Sequence, residues 1–160
     1  MHMFNHALAK GGLFLAVMCL ATRLPGLKLD DLAGAARRMP WTMAAFMVGG
    51  LSLIGIPGTA GFTSKWTLIS ASMELGGSGW LLVAVIVAGS LMAVAYIWRI
   101  VEAAWFRDPE DGKPEFSEAP MPMLLITWIA ALANLYFGLA PSLQIRLATD
   151  GARMLMGELP

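Results

Sequence analysis

The sequence predicts an all-α, polytopic transmembrane helix bundle that contains one discontinuous helix. Three observations carry this. Of the 160 residues, 58% are hydrophobic and only 14% charged, whereas a soluble domain carries about 25% charged residues. The charges gather at the N-terminus, at 23–38, at 99–118 and thinly after 145. The stretches between them are long enough for the roughly 20 apolar residues that cross a bilayer core. Only helices or closed barrels satisfy their backbone in lipid, and no alternating barrel pattern is present. With a net charge of zero there is no basic surface for nucleic acid.

Residues 2–22 read as the first helix, ended by Thr22-Arg23-Leu24-Pro25-Gly26 because proline and glycine break helices. Residues 23–40 form a polar connection, with a short interfacial helix expected over 31–38. Pro40 suits a first helical turn, and an apolar helix is expected over 41–56. Pro57, Gly58 and Gly61 interrupt it, since proline removes a donor and glycine loosens the backbone. A second half follows over 61–75 and carries Lys65; each half is about 15 residues, short of a full span. Residues 40–75 therefore read either as one broken helix or as two tightly joined ones. Gly76-Gly77-Ser78-Gly79 is a loop, and 80–106 is a long span with Tyr96, Trp98, Trp105, Arg99 and Glu102 near its exit, where aromatics favour headgroup depth. Arg99 and Glu102 are expected to form an interfacial ion pair. Residues 107–120 are acidic and proline-rich and read as a solvated loop; 121–140 is the last span. The transmembrane domain is thus expected over 1–145, with a short, mildly amphipathic tail over 146–160.

Lysine and arginine favour the cytoplasmic side. If 40–75 crosses once, loops 23–40 and 107–120 share a side, with six Lys/Arg against two. If it crosses twice, loop 23–40 pairs with the tail, again six against two. Both place loop 23–40 in the cytoplasm.

His2, His6 and Lys10 recur at every fourth residue, so they share one helix face. One reading is a proton path within the bundle, since histidine titrates near neutral pH and lipid does not tolerate such a stripe. The other is side chains that snorkel from a helix start to the interface. A zinc site at His2 and His6 lacks a third ligand, and Cys19 sits in an apolar run as an inert thiol, so no metal or other cofactor is expected. Lys65 stands alone after the break. It must reach water, a carboxylate or carbonyls freed by the break, because irregular backbone at membrane depth survives only when buried in protein or beside a wet cavity. It reads equally as an interface marker. Glu74 lies nine residues on, roughly 13 Å along a helix, too far to pair with it. There is no nucleophile–base pair, metal cluster or nucleotide loop, hence no catalytic centre in the chain itself.

Asn5-His6-Ala7-Leu8-Ala9-Lys10 followed by Leu13-Phe14-Leu15, the stretch from Met39-Pro40-Trp41-Thr42 to Ser64-Lys65-Trp66, and Gly89-Ser90-Leu91 with Tyr96-Ile97-Trp98-Arg99 resemble the proton-conducting membrane subunits shared by Mrp-type cation/proton antiporters and respiratory complex I. The Ser64-Lys65-Trp66 form is most similar to the D-type member of the Mrp antiporters. The resemblance implies proton or cation/proton translocation through a row of Lys65, Lys10, His6 and His2, joined by water in a multi-pass protein of the inner (plasma) or an equivalent energy-conserving membrane. It also implies partner subunits that supply sodium exchange or a redox drive, such as an NADH:quinone oxidoreductase. Subunits of that family are several times longer, with two inverted helix repeats. This chain is therefore expected to be the C-terminal part, a split subunit or a fragment, with a partner supplying the earlier repeat. The competing expectation is a structural or assembly subunit without transport of its own.

Overall fold

The computed structural model describes residues 1–108 and 117–157; the middle of the acidic loop, 109–116, and the last three residues lie outside them. The described residues form seven α-helices and no strand: α1 (His2–Ala21), α2 (Ala35–Arg38), α3 (Pro40–Ile54), α4 (Ala60–Met73), α5 (Gly79–Phe106), α6 (Met121–Leu139) and α7 (Ser142–Leu155). Single 3₁₀ turns at Leu29–Leu32 and Gly76–Ser78 join them. Each membrane helix begins and ends within two residues of its expected place. The interfacial helix expected over 31–38 is instead a 3₁₀ turn and one α-helical turn, split at Gly34, which takes a left-handed φ of 71°.

Helix pairings decide how often 40–75 crosses. Along α1, His2 meets Ser64, Asn5 meets Ala60, and Ala9 and Leu13 lie against Gly49. Ala16, Cys19 and Leu20 share a core with Met39 and Met43. α3 and α4 therefore follow one another in the same direction along α1, as one broken crossing. α5 returns beside them, Ser90 reaching Lys65 and Ile97 packing on Gly50. α6 runs antiparallel to α1, pairing Thr127 with Cys19 and Phe137 with Phe4. α1, α5 and α6 are each long and apolar enough to cross a membrane, so the chain makes four passes. Lipid offers no hydrophobic drive between helices, and close packing must hold them; Ala9, Ala16, Ala45, Ala93 and Ala131 fill the buried seams. The outward face of α5 is apolar, with Leu81, Leu91 and Met92 exposed.

The apolar core gathers at one end, where Leu24, Leu32, Ala35 and Ala36 of the first connection close over α1, α3 and α5. At that end Arg37 pairs with Asp108 at 3.2 Å and Arg107 with Asp30 at 3.0 Å, so loop 23–40 and the described ends of loop 107–120 lie on one side. Arg107 also reaches Glu102 at 3.8 Å. The pair expected between Arg99 and Glu102 is therefore replaced, because an arginine ahead of a glutamate is the weaker helical order and Arg107 folds back from the helix end. Glu118 accepts from the Trp41 N–H at 2.9 Å and from the Thr42 hydroxyl, a carboxylate on the N-terminus of α3. With one broken crossing, the six-to-two excess of Lys/Arg in the sequence gives the expectation that this end faces the cytoplasm. Lys28→Cys and Arg107→Cys should be labelled by an impermeant maleimide from the cytoplasmic side, and Arg153→Cys from the opposite side. Labelling of positions 28 and 107 from opposite sides would overturn the single crossing.

Candidate functional site

The break begins two residues ahead of Pro57. Gly55 takes φ 94° and ends α3, a left-handed cap open to glycine. The N–H groups of Gly55 and Ile56 both donate to the Leu51 carbonyl, at 2.9 and 3.0 Å. Pro57 and Gly58, the latter at φ 91°, then fill the two central positions of a turn closed by Thr59 N–H to the Ile56 carbonyl at 3.3 Å. Proline first and positive-φ glycine second is the type II pattern. Gly61 lies not in this link but in the first turn of α4. A Cβ there would overlap the Ser52 carbonyl, so its bareness lets α4 start against the end of α3.

A helix start leaves orphan N–H groups, and here each finds a partner. The Ala60 N–H donates to Asn134 Oδ1 at 3.3 Å, the Gly61 N–H to Ser52 Oγ at 3.0 Å, and the Phe62 N–H to the Thr59 carbonyl at 3.1 Å. Asn5 Nδ2 donates to the Ala60 carbonyl at 2.9 Å. Buried polar residues from three other helices thus hold the start of α4.

The end of α3 is satisfied differently. Lys65 Nζ donates to the Leu53 carbonyl at 2.7 Å, the Ile54 carbonyl at 3.0 Å and Ser90 Oγ at 2.6 Å. An ammonium has three donors, and all three are used. Two go to carbonyls that the break has released, at the negative end of the α3 dipole. The Lys65 stem lies 3.0 Å from where a Gly55 Cβ would stand, so one glycine serves both the cap and the lysine. Ser90 falls near the middle of the uncharged run 79–98 of α5, about 30 Å of helix. The three bonds of Lys65 are all to protein acceptors.

His2, His6, Lys10 and Lys65 all line one cavity of about 340 Å³ between α1, α4 and α5, with Tyr96 on its wall. His2 Nδ1 lies 3.1 Å from Ser64 Oγ, which donates to the Gly61 carbonyl at 3.1 Å, so the imidazole N–H donates to the serine. The His2 and His6 ring centres are 5.8 Å apart. Lys10 is exposed and forms the rim. Among the described residues no carboxylate lines the cavity, and no group of acidic, histidine and cysteine side chains is arranged to hold a metal. Cys19 is buried beside Thr127 at 3.4 Å. Sequence reasoning gave Ser90, Asn5 and Asn134 no role; the available signal was a polar residue inside an apolar helix.

Residues 1–93 match the family described as "NADH:quinone oxidoreductase/Mrp antiporter, TM". NADH-quinone oxidoreductase subunit N of Desulforudis audaxviator is 39% identical over 76% of this chain and 24% of its own length. F(420)H(2) dehydrogenase subunit N of Methanosarcina mazei is 32% identical over 98% of this chain and 33% of its own. In the solved structure of the membrane-bound sulfane sulfur reductase, an archaeal respiratory membrane complex, one chain superposes with a TM-score of 0.77 at 36% identity, over 86% of this chain and 22% of that one. The chain thus spans a quarter to a third of the length of these curated relatives. Both curated relatives carry the name of a redox enzyme's subunit, not that of the antiporter member suggested by Ser64-Lys65-Trp66. Matched over its first four helical segments by sequence and over most of its length by fold, the chain belongs to the NADH:quinone oxidoreductase/Mrp antiporter family of membrane subunits.

Proposed function

We propose that this chain carries part of a proton path within a larger, redox-driven membrane complex, with Lys65, Lys10, His6 and His2 as the groups that take up and pass on the proton. The observation that carries the reading is the shared cavity: four titratable side chains around about 340 Å³, room for roughly ten waters at about 30 Å³ each. Lys65 sits at its inner end on three neutral acceptors. Carbonyls freed by a helix break bind sodium in some transporters; here the ammonium of Lys65 fills that place, which favours protons over sodium at this point. The names of the relatives favour a redox drive over antiport, with the redox centres on other subunits, and the lengths of the relatives favour a preceding helix repeat, in the same chain or in a partner.

Proton uptake by vesicles carrying the whole complex, read with a pH-sensitive dye, tests this. Lys10→Ala and His6→Ala should each lower uptake by roughly tenfold or more, as loss of a positioned acid–base group does, and Ser90→Ala should lower it less. Assembly, checked by co-purification, should be retained. Normal uptake in assembled Lys10→Ala and His6→Ala complexes would reject a path along α1. Loss of assembly with no separate transport defect would favour the structural role.

A further inference from the structure

α7 lies outside the cavity, yet it is joined to it. Gln144, 8% exposed, donates through Nε2 to Asn5 Oδ1 at 2.7 Å. Asn5 is fully buried on α1 between His2 and His6, and its own amide holds the Ala60 carbonyl. That bond fixes the orientation of the whole chain of amides: Asn5 must present its nitrogen to Ala60, hence its oxygen to Gln144, hence Gln144 must present its nitrogen to Asn5. Gln144 Oε1 is then left buried with no partner among the described residues. The side chain is held at its polar end by one bond, the one to Asn5, and an unpaired buried carbonyl is a cost the fold carries.

Resting on the relay reading above, we propose that Gln144 is a positioning residue for the proton path, through which α7 sets the register of α1 against α4. The Ala60 N–H and carbonyl are gripped from α6 and α1 respectively. Lys65 follows five residues on, and Ser64, the partner of His2, four. Asn5 carries its grip only while its oxygen has a donor; without Gln144 that oxygen is buried and unsatisfied, and α1 turns or slides to find one. His2 and His6, which flank Asn5 on α1, move with it. A shift of about 1 Å at a distance from the chemistry is enough to slow a transfer by on the order of a hundredfold, so α7 can govern the path without touching it.

Three variants in the full complex test this by proton uptake and co-purification. Gln144→Leu keeps volume but cannot donate, and should lower uptake by on the order of tenfold in assembled complex. Gln144→Glu can donate to Asn5 only while its carboxyl holds a proton. Position 144 is buried, and burial raises a carboxyl's pKa well above the ordinary glutamate value of about 4.3, so this variant should transport like the natural protein near pH 5 and progressively less toward about pH 8, a profile absent from the natural protein. The titratable groups around this node, the Met1 amino group beside Gln144, His2 and His6 on α1 and Lys65 on α4, are present in both proteins, so the difference between profiles reports the substituted side chain. A Gln144→Glu profile matching the natural one would overturn the proposal, even if Gln144→Leu failed to assemble. So would full uptake by assembled Gln144→Leu. Lys65→Ala separates the two readings: if it transports normally the relay itself fails, and if it is inactive while both Gln144 variants behave as the natural protein, only the positioning role fails.

Discussion

Lys65→Ala is expected to abolish proton uptake, or to reduce it by at least on the order of a hundredfold, while the complex assembles. The side chain supplies three donors, to Leu53, Ile54 and Ser90. Its loss leaves two carbonyls of α3 facing the cavity, where water can meet them, so the structural cost is modest. Chemically the loss is complete, because among the described residues no other titratable group reaches the inner end of the cavity from α4. Lys65→Arg is the sharper test. A guanidinium keeps the charge and can bond the same carbonyls, but it hardly deprotonates, so it should assemble well and still fail to transport. Uptake near the natural rate in assembled Lys65→Arg complex would mean that the lysine serves only as a fixed charge. Uptake near the natural rate in Lys65→Ala would return it to the role of a packing residue.

Gly61→Ala is expected to destabilise the assembly by at least about 3 kcal/mol, beyond the usual range for one added methyl. The reason is what the methyl meets. Most small-to-large changes push on side chains, which rotate. Here the Cβ overlaps the Ser52 carbonyl and lies near Ser52 Oγ, the acceptor of the Gly61 N–H itself. Relief requires moving α4 off α3 and stretching the Ser52 and Asn134 bonds together. Thermal unfolding of the detergent-solubilised complex reads the change. Gly11→Ala is the control, since a Cβ there meets nothing within 4 Å and alanine is the better helix former. Equal melting of the Gly61→Ala and natural complexes would show that the two helix ends are not clamped.

The helices were legible because each apolar run is bounded by proline, glycine or charge, and those boundaries act locally. Pro40 opens α3, the Gly76–Gly79 loop separates α4 from α5, and Pro141 follows α6. The place of the break was legible to within two residues. Its first residue was not, since Gly55 lies in a run that reads as helix and only its positive φ marks the end. The single crossing of 40–75 was not legible at all: it is set by the order in which α1 meets Gly49, Ala60 and Ser64, and no local pattern encodes that order. Glu118 reads as part of a solvated loop, yet it caps a helix that begins 78 residues earlier. The tail reads as mildly amphipathic. It is a helix whose one buried residue, Gln144, is polar, the reverse of what hydropathy selects. The four titratable residues of the cavity were legible as types and as a stripe. What they face, released carbonyls and Ser90 instead of a carboxylate, needed the fold.

The depth of Lys65 has an electrical consequence. Its ammonium meets Ser90 near the middle of the uncharged run of α5, so a proton that reaches it from either face has crossed about half of the membrane field. One elementary charge across the whole field is worth about 2.3 kcal/mol per 100 mV, and half of it about 1.2. In the path proposed above, that work enters the loading of the lysine whatever fixed charges lie nearby. The equilibrium constant for loading Lys65 then changes several-fold when the potential rises from zero to about 100 mV. In the proposed path, the same residue that fills the gap at the end of α3 thereby acts as a voltmeter, loaded more readily from one side of the membrane than from the other.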